Sequence, residues 1–349
     1  MSRWEVDALE AAAGGFHLGP VRLSLDPAES VAVLGRSGAG KTTFLRALAG
    51  LTPLTSGRIR RGPDDVSAWP AERRGSVYVP QGLGLFPHRT VRRNVAYPLE
   101  ITGRPNAEPV VAALLERFGL GPLAGRSPST LSTGEQQRVA IARALAAEPE
   151  LLLWDEPLGA LDLLARDELL GALREARASA ATPLLFVTHD PALAFSLADR
   201  WLVLNGGRVG YLGPPGPLID HPPDRFLARF TGFENVYSSQ LLRDHPTGPL
   251  REALAREAGP EGVALGTPTG HRPMDSPGEF FARIQRVEPL PYGFRVEGES
   301  EGLPLRLLVP YGDGPAPAPG GRLAFQLAGV RVAPIGVPER STTPAKEGE

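Results

Sequence analysis

The stretch GRSGAGKTTF, residues 35–44, places three glycines, one lysine and two threonines in ten consecutive positions. It matches the pattern Gly-x-x-x-x-Gly-Lys-Thr and stands between the apolar run SVAVL and a segment with helical spacing. A strand before such a loop and a helix after it form the context in which the loop binds phosphate. Glycines let the backbone wrap tightly, so that successive N–H groups point at phosphate oxygens. The stretch therefore predicts a site for a nucleoside triphosphate.

The side chains of this loop suit the same ligand. Lys41 and Lys346 are the only lysines among 37 basic residues. A compact ammonium group reaches terminal phosphates where a planar guanidinium would not fit, and the start of a helix adds partial positive charge. We expect the Thr42 hydroxyl to bind Mg²⁺. The residues expected to contact the nucleotide are Gly35, Arg36, Ser37, Gly38, Ala39, Gly40, Lys41, Thr42 and Thr43.

Composition narrows the class of protein. The chain has 349 residues, a formal net charge of −2 and no cysteine. This charge gives no electrostatic footprint for nucleic acid, and the lack of cysteine excludes disulfides and thiolate metal sites. The segment MSRWEVDALEAAAGG does not resemble a signal peptide, and no run approaches the ~20 apolar residues of a membrane-crossing helix. If the protein works at a membrane, we expect another chain to cross it.

The order of apolar runs predicts an α/β fold followed by a β-rich segment. Up to about residue 230, strand-like runs such as SVAVLG and ELLLWD alternate with helical patterns, as in a layered domain with a parallel sheet. Beyond it, short extended segments predict a small β-barrel or sandwich, interrupted by one helical segment, LREALAREAG. The predicted parts are a nucleotide-binding cassette over 1–232 with a helical subdomain at about 82–148, an all-β domain over 233–336 and a disordered tail over 337–349.

Two adjacent acids end the strand-like run LLLWDE. We expect Asp155 to hold Mg²⁺, directly or through water, as acids beside phosphate loops do. Glu156 points in another direction and is expected to accept a proton from the attacking water. An acidic cap on the end of a strand is the alternative interpretation.

Three stretches, in this order along the chain, resemble the ATP-binding cassette (ABC) family: LSTGEQQRVAIARAL (131–145), LLLWDEPLGALD (151–162) and FVTHD (186–190). A fourth, VYVPQGLGLFPHRTVRRNVAYPL (77–99), resembles the glutamine-loop region of importer ATPases in that family. The resemblance covers roughly residues 3–235. It implies an ATPase whose cofactors are ATP and Mg²⁺.

The resemblance also implies that the site is shared between two subunits. Ser132 and Gly134 would begin a helix that faces the phosphate of ATP held by a second subunit, and Asp162 would lie across the same interface. Two copies, or two paired ATPases, would close head to tail around two nucleotides. Thr133 and Glu135 depart from the usual LSGGQ, and this departure bears on the hydrolysis rate more than on the identity of the family.

Three further residues take roles from the resemblance. His189 would contact the γ-phosphate and the attacking water. Gln81 would bind Mg²⁺ or that water and couple it to the contact with a membrane permease. Phe16 is the aromatic residue available to stack on adenine, with packing in the core as the alternative.

The remaining implications concern partners and cargo. The segment GLFPHRTVRRNVAYPL resembles part of the groove that receives a helix of the permease, with Phe86, Pro87 and Val91 as apolar contacts; an ordinary surface loop is the alternative. The segment 233–336 resembles the oligonucleotide-binding-like regulatory domain of some importer ATPases. The expected protein is therefore an importer ATPase at the cytoplasmic face of the membrane, served indirectly by a solute-binding protein.

The best guess for the solute is an oxyanion such as molybdate, tungstate or sulfate, and the alternatives are iron(III), a polyamine, thiamine or a sugar. Two rival classes remain. A soluble ABC protein that binds nucleic acid or ribosomes usually carries tandem cassettes or basic arms, which this sequence lacks. A half of an exporter with a separate membrane part is disfavoured by the importer-like loop and the β-rich segment.

Overall fold

The computed structural model describes residues 2–105, 107–156, 169–171, 173–174, 181–244, 248–260, 262–266, 270–271, 280–291, 293–310, 316–327, 330 and 332–335. The chain divides into two compact units, Met1–Pro214 and Pro215–Glu349. The sequence placed this division between residues 232 and 233, so the stretch 215–232 stands with the second unit instead of the first. The reason is packing, because Ala228 belongs to a small buried cluster with Phe233, Ala264 and Ile335.

The first unit contains ten strands and five α-helices whose bounds the structure gives. The strands are β1 (Trp4–Ala13), β2 (Phe16–Leu25), β3 (Ser30–Gly35), β4 (Leu54–Arg61), β5 (Asp64–Asp65), β6 (Ser76–Val79), β7 (Leu151–Asp155), β8 (Leu184–Val187), β9 (Arg200–Asn205) and β10 (Arg208–Gly213). The helices are α1 (Lys41–Leu48), α2 (Val91–Ile101), α3 (Ala107–Arg117), α4 (Thr133–Ala146) and α5 (Pro191–Leu197).

A six-stranded sheet, in the order β10-β9-β3-β8-β7-β6, forms the centre of this unit. Every neighbouring pair from β9 to β6 is parallel, and only β10 runs antiparallel to its neighbour. All residues of β3, β7 and β8 are buried, as expected for strands covered on both faces. Because parallel strands end at one edge of a sheet, the loops after β3, β6, β7 and β8 meet there.

A second sheet is antiparallel, in the order β2-β1-β4-β5. The sequence reasoning did not predict it, although the run WEVDAL alternates between buried and exposed positions at its start, as a half-buried strand does. Its buried side chains Trp4, Leu25 and Ile59 share one core cluster with Phe44 of α1. The sheet therefore packs against the helix that follows the phosphate loop.

Helices α2, α3 and α4 lie between β6 and β7 in the chain, within the predicted helical subdomain. The fully buried Asn94 side chain fixes the loop before α2, because it accepts from the Phe86 amide and donates to the carbonyls of Phe86, Arg89 and Thr90 at 2.8–3.1 Å. Val91 is also fully buried. The prediction that Val91 offers an apolar contact to a partner is therefore wrong, because its side chain is buried in the core.

The second unit is built on antiparallel sheets. Its strands are β11 (Asn235–Ser238), β12 (Gly262–Leu265), β13 (Gly270–His271), β14 (Phe280–Leu290), β15 (Gly293–Ser300), β16 (Leu303–Pro310), β17 (Arg322–Phe325) and β18 (Val332–Ile335). Its helices are α6 (Pro215–Asp220), α7 (Arg225–Phe230), α8 (Ser239–Asp244) and α9 (Pro249–Glu257).

These strands form a three-stranded sheet, β11-β12-β18, and a five-stranded sheet, β13-β17-β14-β15-β16. A small β domain was predicted here, the structure adds that its sheets are antiparallel, and helix α9 is the predicted helical segment. The predicted tail, 337–349, lies outside the described residues. Among the described residues, no helix is both long and apolar enough to cross a membrane.

Candidate functional site

The phosphate loop joins β3 to α1 at the edge of the central sheet. Gly35, Gly38 and Gly40 have φ angles of 145°, 77° and 100°, which favour glycine. A Cβ atom on Gly35 would lie 2.3 Å from the carbonyl oxygen of Leu204, so a larger residue does not fit there. The residues between Gly35 and Ala39 are exposed. The loop therefore presents its backbone to solvent at the start of α1.

The Lys41 side chain is folded along this loop. It is buried, and Nζ donates to the carbonyl oxygens of Gly35 at 2.9 Å and of Arg36 at 3.0 Å. Burial lowers the pKa of Lys41, while the charges of Glu156 and Asp155 act in the opposite direction. The ammonium group is thus held beside the two acids by main-chain acceptors. Thr42, in the first turn of α1, is exposed, and Thr43 is half-buried.

Asp155 and Glu156 stand at the carboxyl end of β7, in different environments. Asp155 is 4% exposed and accepts a hydrogen bond of 3.0 Å from the Tyr78 hydroxyl. Burial and the nearby Asp155 raise the pKa of Tyr78. Glu156 has a φ of 54°, an uncommon conformation that is often found at functional sites. The two adjacent carboxylates contact different side chains, since Asp155 meets Tyr78 and Glu156 meets Gln81 and His189.

Glu156 joins two residues that were predicted from separate motifs. Gln81 Nε2 donates to Glu156 Oε2 at 2.7 Å, and His189 Nε2 lies 2.6 Å from Glu156 Oε1. The three residues follow β6, β7 and β8, which are neighbours in the sheet. The topology thus brings Gln81, Glu156 and His189 together beside the phosphate loop.

Ser132 is the N-cap of α4, so LSTGE begins a helix as predicted. Ser132 Oγ accepts from the amide of Glu135, and Glu135 Oε2 accepts from the amide and the hydroxyl of Ser132 at 2.7 and 3.0 Å. These bonds form a capping box and lower the pKa of Glu135. Ser132 is exposed, and Gly134 lies in the first turn. The Glu135 carboxylate therefore occupies the amide and the hydroxyl of Ser132, one of the two residues that the resemblance assigns to phosphate.

The aromatic ring of Phe16 lies beside the phosphate loop. A Cβ atom on Gly40 would lie 2.8 Å from Phe16 Cε1, and one on Gly207 would lie 3.2 Å from Cζ. Phe16 is half-buried against the core of the unit. Its stacking on adenine stays a prediction. Asp162, the other residue predicted at the subunit interface, lies outside the described residues.

The donor chemistry of the site fits Mg²⁺, which prefers oxygen ligands. The Thr42 hydroxyl and the Asp155 carboxylate are such donors, and they belong to α1 and β7, which meet at this edge of the sheet. Gln81 uses its amide nitrogen on Glu156, which leaves the amide oxygen for a metal or a water molecule.

The sequence reasoning missed two contacts of the site. One is the hydrogen bond from Tyr78 to Asp155, for which the signal was a tyrosine three residues before Gln81. The other is Arg143 of α4, which donates to the carbonyls of Gly84 at 2.7 Å and Leu83 at 2.8 Å. Arg143 therefore ties the helix that begins after Ser132 to the loop that follows Gln81.

Comparison with known proteins adds sequence relatives to this geometry. A family model described as "ABC transporter" matches residues 18–159. The Fe(3+) ions import ATP-binding protein FbpC of Streptomyces coelicolor is 44% identical over 73% of this chain and 74% of its own. The molybdate/tungstate import ATP-binding protein WtpC of Thermococcus kodakarensis is 43% identical over 63% of this chain and 68% of its own.

Two further similarities agree with these. The sulfate/thiosulfate import ATP-binding protein CysA of Mycolicibacterium paratuberculosis is 38% identical over 82% of this chain and 77% of its own. A solved structure of an ATP-binding subunit of an ABC transporter is 29% identical, with a TM-score of 0.56, and covers 62% of this chain and 91% of that one. The chain belongs to the ABC transporter family, as an ATPase subunit of the importer group. This confirms the family and the enzyme class that the motifs predicted.

Proposed function

We propose that this ATPase subunit hydrolyses Mg²⁺-ATP as a head-to-tail dimer and so drives the import of a small oxyanion through a separate membrane permease. The observation that carries the proposal is the placement of Glu156, which lies between Gln81 and His189 beside the phosphate loop. A carboxylate so placed is suited to take a proton from water that attacks a bound terminal phosphate.

Nucleotide binding falls to the phosphate loop. The exposed backbone between Gly35 and Ala39 offers amides to phosphate oxygens. The Lys41 ammonium group lies against the same loop, where it donates to the carbonyls of Gly35 and Arg36. In the proposed bound state, the ammonium group exchanges its two carbonyl acceptors for the charged oxygens of the β- and γ-phosphates. Bound Mg²⁺ would neutralise charge on the phosphates, with Thr42, Asp155 and Gln81 as its protein partners.

The proton transfer is assigned to Glu156. Glu156 accepts a hydrogen bond from Gln81 and contacts His189 in the structure. Gln81 and His189 are therefore two groups beside the carboxylate that can hold a water molecule. We propose that Glu156 receives the proton of the attacking water, while His189 contacts the γ-phosphate. Gln81 positions the water or the metal. It also couples their binding to the loop that follows it, which Arg143 holds through the carbonyls of Leu83 and Gly84.

The proposed dimer completes each site with a helix from the other subunit. Ser132 and Gly134 stand at the exposed start of α4, where the partial charge of the helix favours an anion. In the proposed dimer, Ser132 exchanges its hydrogen bonds to Glu135 for the phosphate. Asp162 is proposed for the same interface on the basis of its motif. Phe16, beside Gly40, is the proposed platform for adenine.

The permease is proposed to dock near the loop that Asn94 fixes. Phe86 is half-buried and Pro87 is exposed there, so both offer apolar surface that Val91 does not. The import proteins named above support a permease partner and a position at the cytoplasmic face of the membrane. A solute-binding protein would deliver cargo to that permease.

An oxyanion is the proposed cargo because two relatives are named for oxyanion import, one for molybdate/tungstate and one for sulfate/thiosulfate. The similarity to this chain extends over most of the length of both relatives. A relative named for Fe(3+) import is equally similar and makes iron(III) the second candidate. Polyamines, thiamine and sugars are the other solutes that the sequence left open.

Uptake by living cells tests the proposal. Cells that produce the protein are compared with cells from which its gene is deleted, using labelled molybdate, sulfate and ferric iron in turn. We expect oxyanion uptake to fall on deletion, to return with the wild-type chain and not to return with Glu156→Gln. Loss of iron uptake alone would replace the oxyanion by iron(III). Unchanged uptake of every solute would contradict the oxyanion proposal.

A further inference from the structure

We propose that Tyr78 is a positioning residue for the reaction: its hydroxyl fixes the Asp155 carboxylate in the orientation that binds the metal of metal–ATP. The inference rests on the proposed function, because it takes Asp155 as a ligand of that metal. It adds a residue that lies outside the motifs that identify the nucleotide site.

Strand register explains why this side chain reaches Asp155. Strands β6 and β7 are parallel neighbours, and Tyr78 pairs with Leu153. Side chains two residues apart lie on one face of a strand, so Leu153 and Asp155 share a face. The Tyr78 ring packs against the core on that side and extends toward the carboxyl end of β7. Its hydroxyl then meets Asp155 Oδ2 at 3.0 Å.

The contact has a clear donor and acceptor. An ionised carboxylate only accepts hydrogen bonds, so the hydroxyl donates. Among the described residues, Tyr78 is the one side chain that hydrogen-bonds the Asp155 carboxylate. Lys41 of the phosphate loop uses its ammonium group on the carbonyls of Gly35 and Arg36. The tyrosine hydroxyl therefore holds one oxygen of the Asp155 carboxylate.

A fixed carboxylate favours metal binding in two ways. The hydroxyl binds Oδ2, so Oδ1, which accepts no hydrogen bond from the described residues, would be available to the metal or its bound water. It also removes rotation that binding would otherwise have to freeze, and partners that orient a metal ligand commonly change metal affinity about tenfold or more. A phenylalanine at this position would keep the ring in the core but would lose both effects.

A structural role is the competing explanation, since a half-buried hydroxyl also gains from a hydrogen-bond partner in a site that binds no metal. The two roles predict different measurements. A structural role lowers the melting temperature and leaves the dependence on metal unchanged. A positioning role changes the metal dependence through Asp155 and disappears when Asp155 is replaced.

The test uses the full chain and the non-hydrolysable analogue AMP-PNP, whose affinity is measured across a Mg²⁺ titration. We expect Tyr78→Phe to raise the half-saturating Mg²⁺ concentration about tenfold. Direct binding of Mn²⁺ to the nucleotide complex, followed by electron paramagnetic resonance, should weaken by a similar factor. Thermal unfolding of each variant shows that it is folded.

Two controls separate the possible failures. Tyr211→Phe removes another tyrosine hydroxyl of the same unit, which donates to the Pro214 carbonyl, and should leave the Mg²⁺ dependence unchanged. Asp155→Asn should abolish most of that dependence, and adding Tyr78→Phe to it should then change nothing further. If Asp155→Asn matters but Tyr78→Phe behaves as wild type, or if the two effects add, the inference is overturned. If Asp155→Asn itself has no effect, the assignment of Asp155 to the metal fails, and the inference fails with it.

Discussion

His189 Nε2 lies 2.6 Å from Glu156 Oε1, although 33 positions of sequence separate the two residues (189 − 156). The other oxygen of the same carboxylate accepts from Gln81. The contact arises because β7 and β8 are adjacent parallel strands and both residues follow the ends of these strands. One carboxylate therefore stands between two polar groups at the edge of the sheet where the phosphate loop also lies.

Replacing this carboxylate tests its proposed role as the base. Glu156→Gln should keep ATP binding but lower the rate of ATP hydrolysis by about 10²–10⁴-fold, because an amide cannot accept the proton. Phosphate release and nucleotide affinity are measured on the same preparation. Glu150→Gln, which breaks the ion pair with Arg61 away from the site, is the matched control and should hydrolyse ATP normally. Turnover near the wild-type rate in Glu156→Gln would remove it as the base.

Lys41 is predicted to act in binding itself. Lys41→Ala removes an ammonium group that is already desolvated and held beside the phosphate loop. Hydrogen bonds to charged groups contribute about 1.5–3 kcal/mol, so ATP affinity should fall roughly ten- to a hundredfold. Isothermal titration calorimetry measures the change. The chain's other lysine offers a control, and Lys346→Ala should bind ATP as the wild type does; equal affinity in both variants would count against the phosphate-loop assignment.

The capping box of α4 predicts a dependence of stability on pH. The hydrogen bonds from Ser132 lower the pKa of Glu135 in the folded chain. A lowered folded-state pKa gives stability that is present above the unfolded-state pKa and is lost as the pH falls through the folded-state pKa. Between neutral and acid pH, the melting temperature of Glu135→Gln should therefore fall by less than that of the wild type.

The effect should be small, because Glu135 is only partly covered and water screens its interactions. Glu116→Gln, on the exposed side of α3, serves as the control for removing one surface carboxylate. If the melting temperatures of the wild type and Glu135→Gln change equally with pH over the whole range, the cap is not coupled to the ionisation of Glu135.

How much of this could be predicted depends on the range of the interactions. The phosphate loop, the acids after β7 and the cap at Ser132 are local patterns, and each predicted feature lies where its motif placed it. Strand register is not local, so the approach of Tyr78 to Asp155 and of Phe16 to Gly40 could not be predicted from spacing. Val91 shows the converse limit, because an apolar residue in a loop-like segment carries no sign of whether it faces a partner or the core.

The boundary between the units gives another prediction. A chain ending at Pro214 keeps the whole first unit and should bind ATP as the full chain does. A chain ending at residue 232 also keeps α7 but loses the strands against which Ala228 packs. It should therefore expose apolar surface, bind more of a hydrophobic dye and aggregate sooner. Cooperative melting and ATP binding check both truncated chains; a chain 1–214 that fails to fold would contradict the division.

The central claim is that each ATP-binding site is completed by Ser132 from a second copy of the chain. The most direct measurement is a structure of the full-length Glu156→Gln protein with Mg²⁺-ATP, supported by its mass in solution. We predict a dimer with two nucleotides, in which Ser132 of each copy hydrogen-bonds the γ-phosphate held by the Lys41 loop of the other. A nucleotide-loaded monomer, or a dimer with Ser132 remote from both triphosphates, would contradict the account.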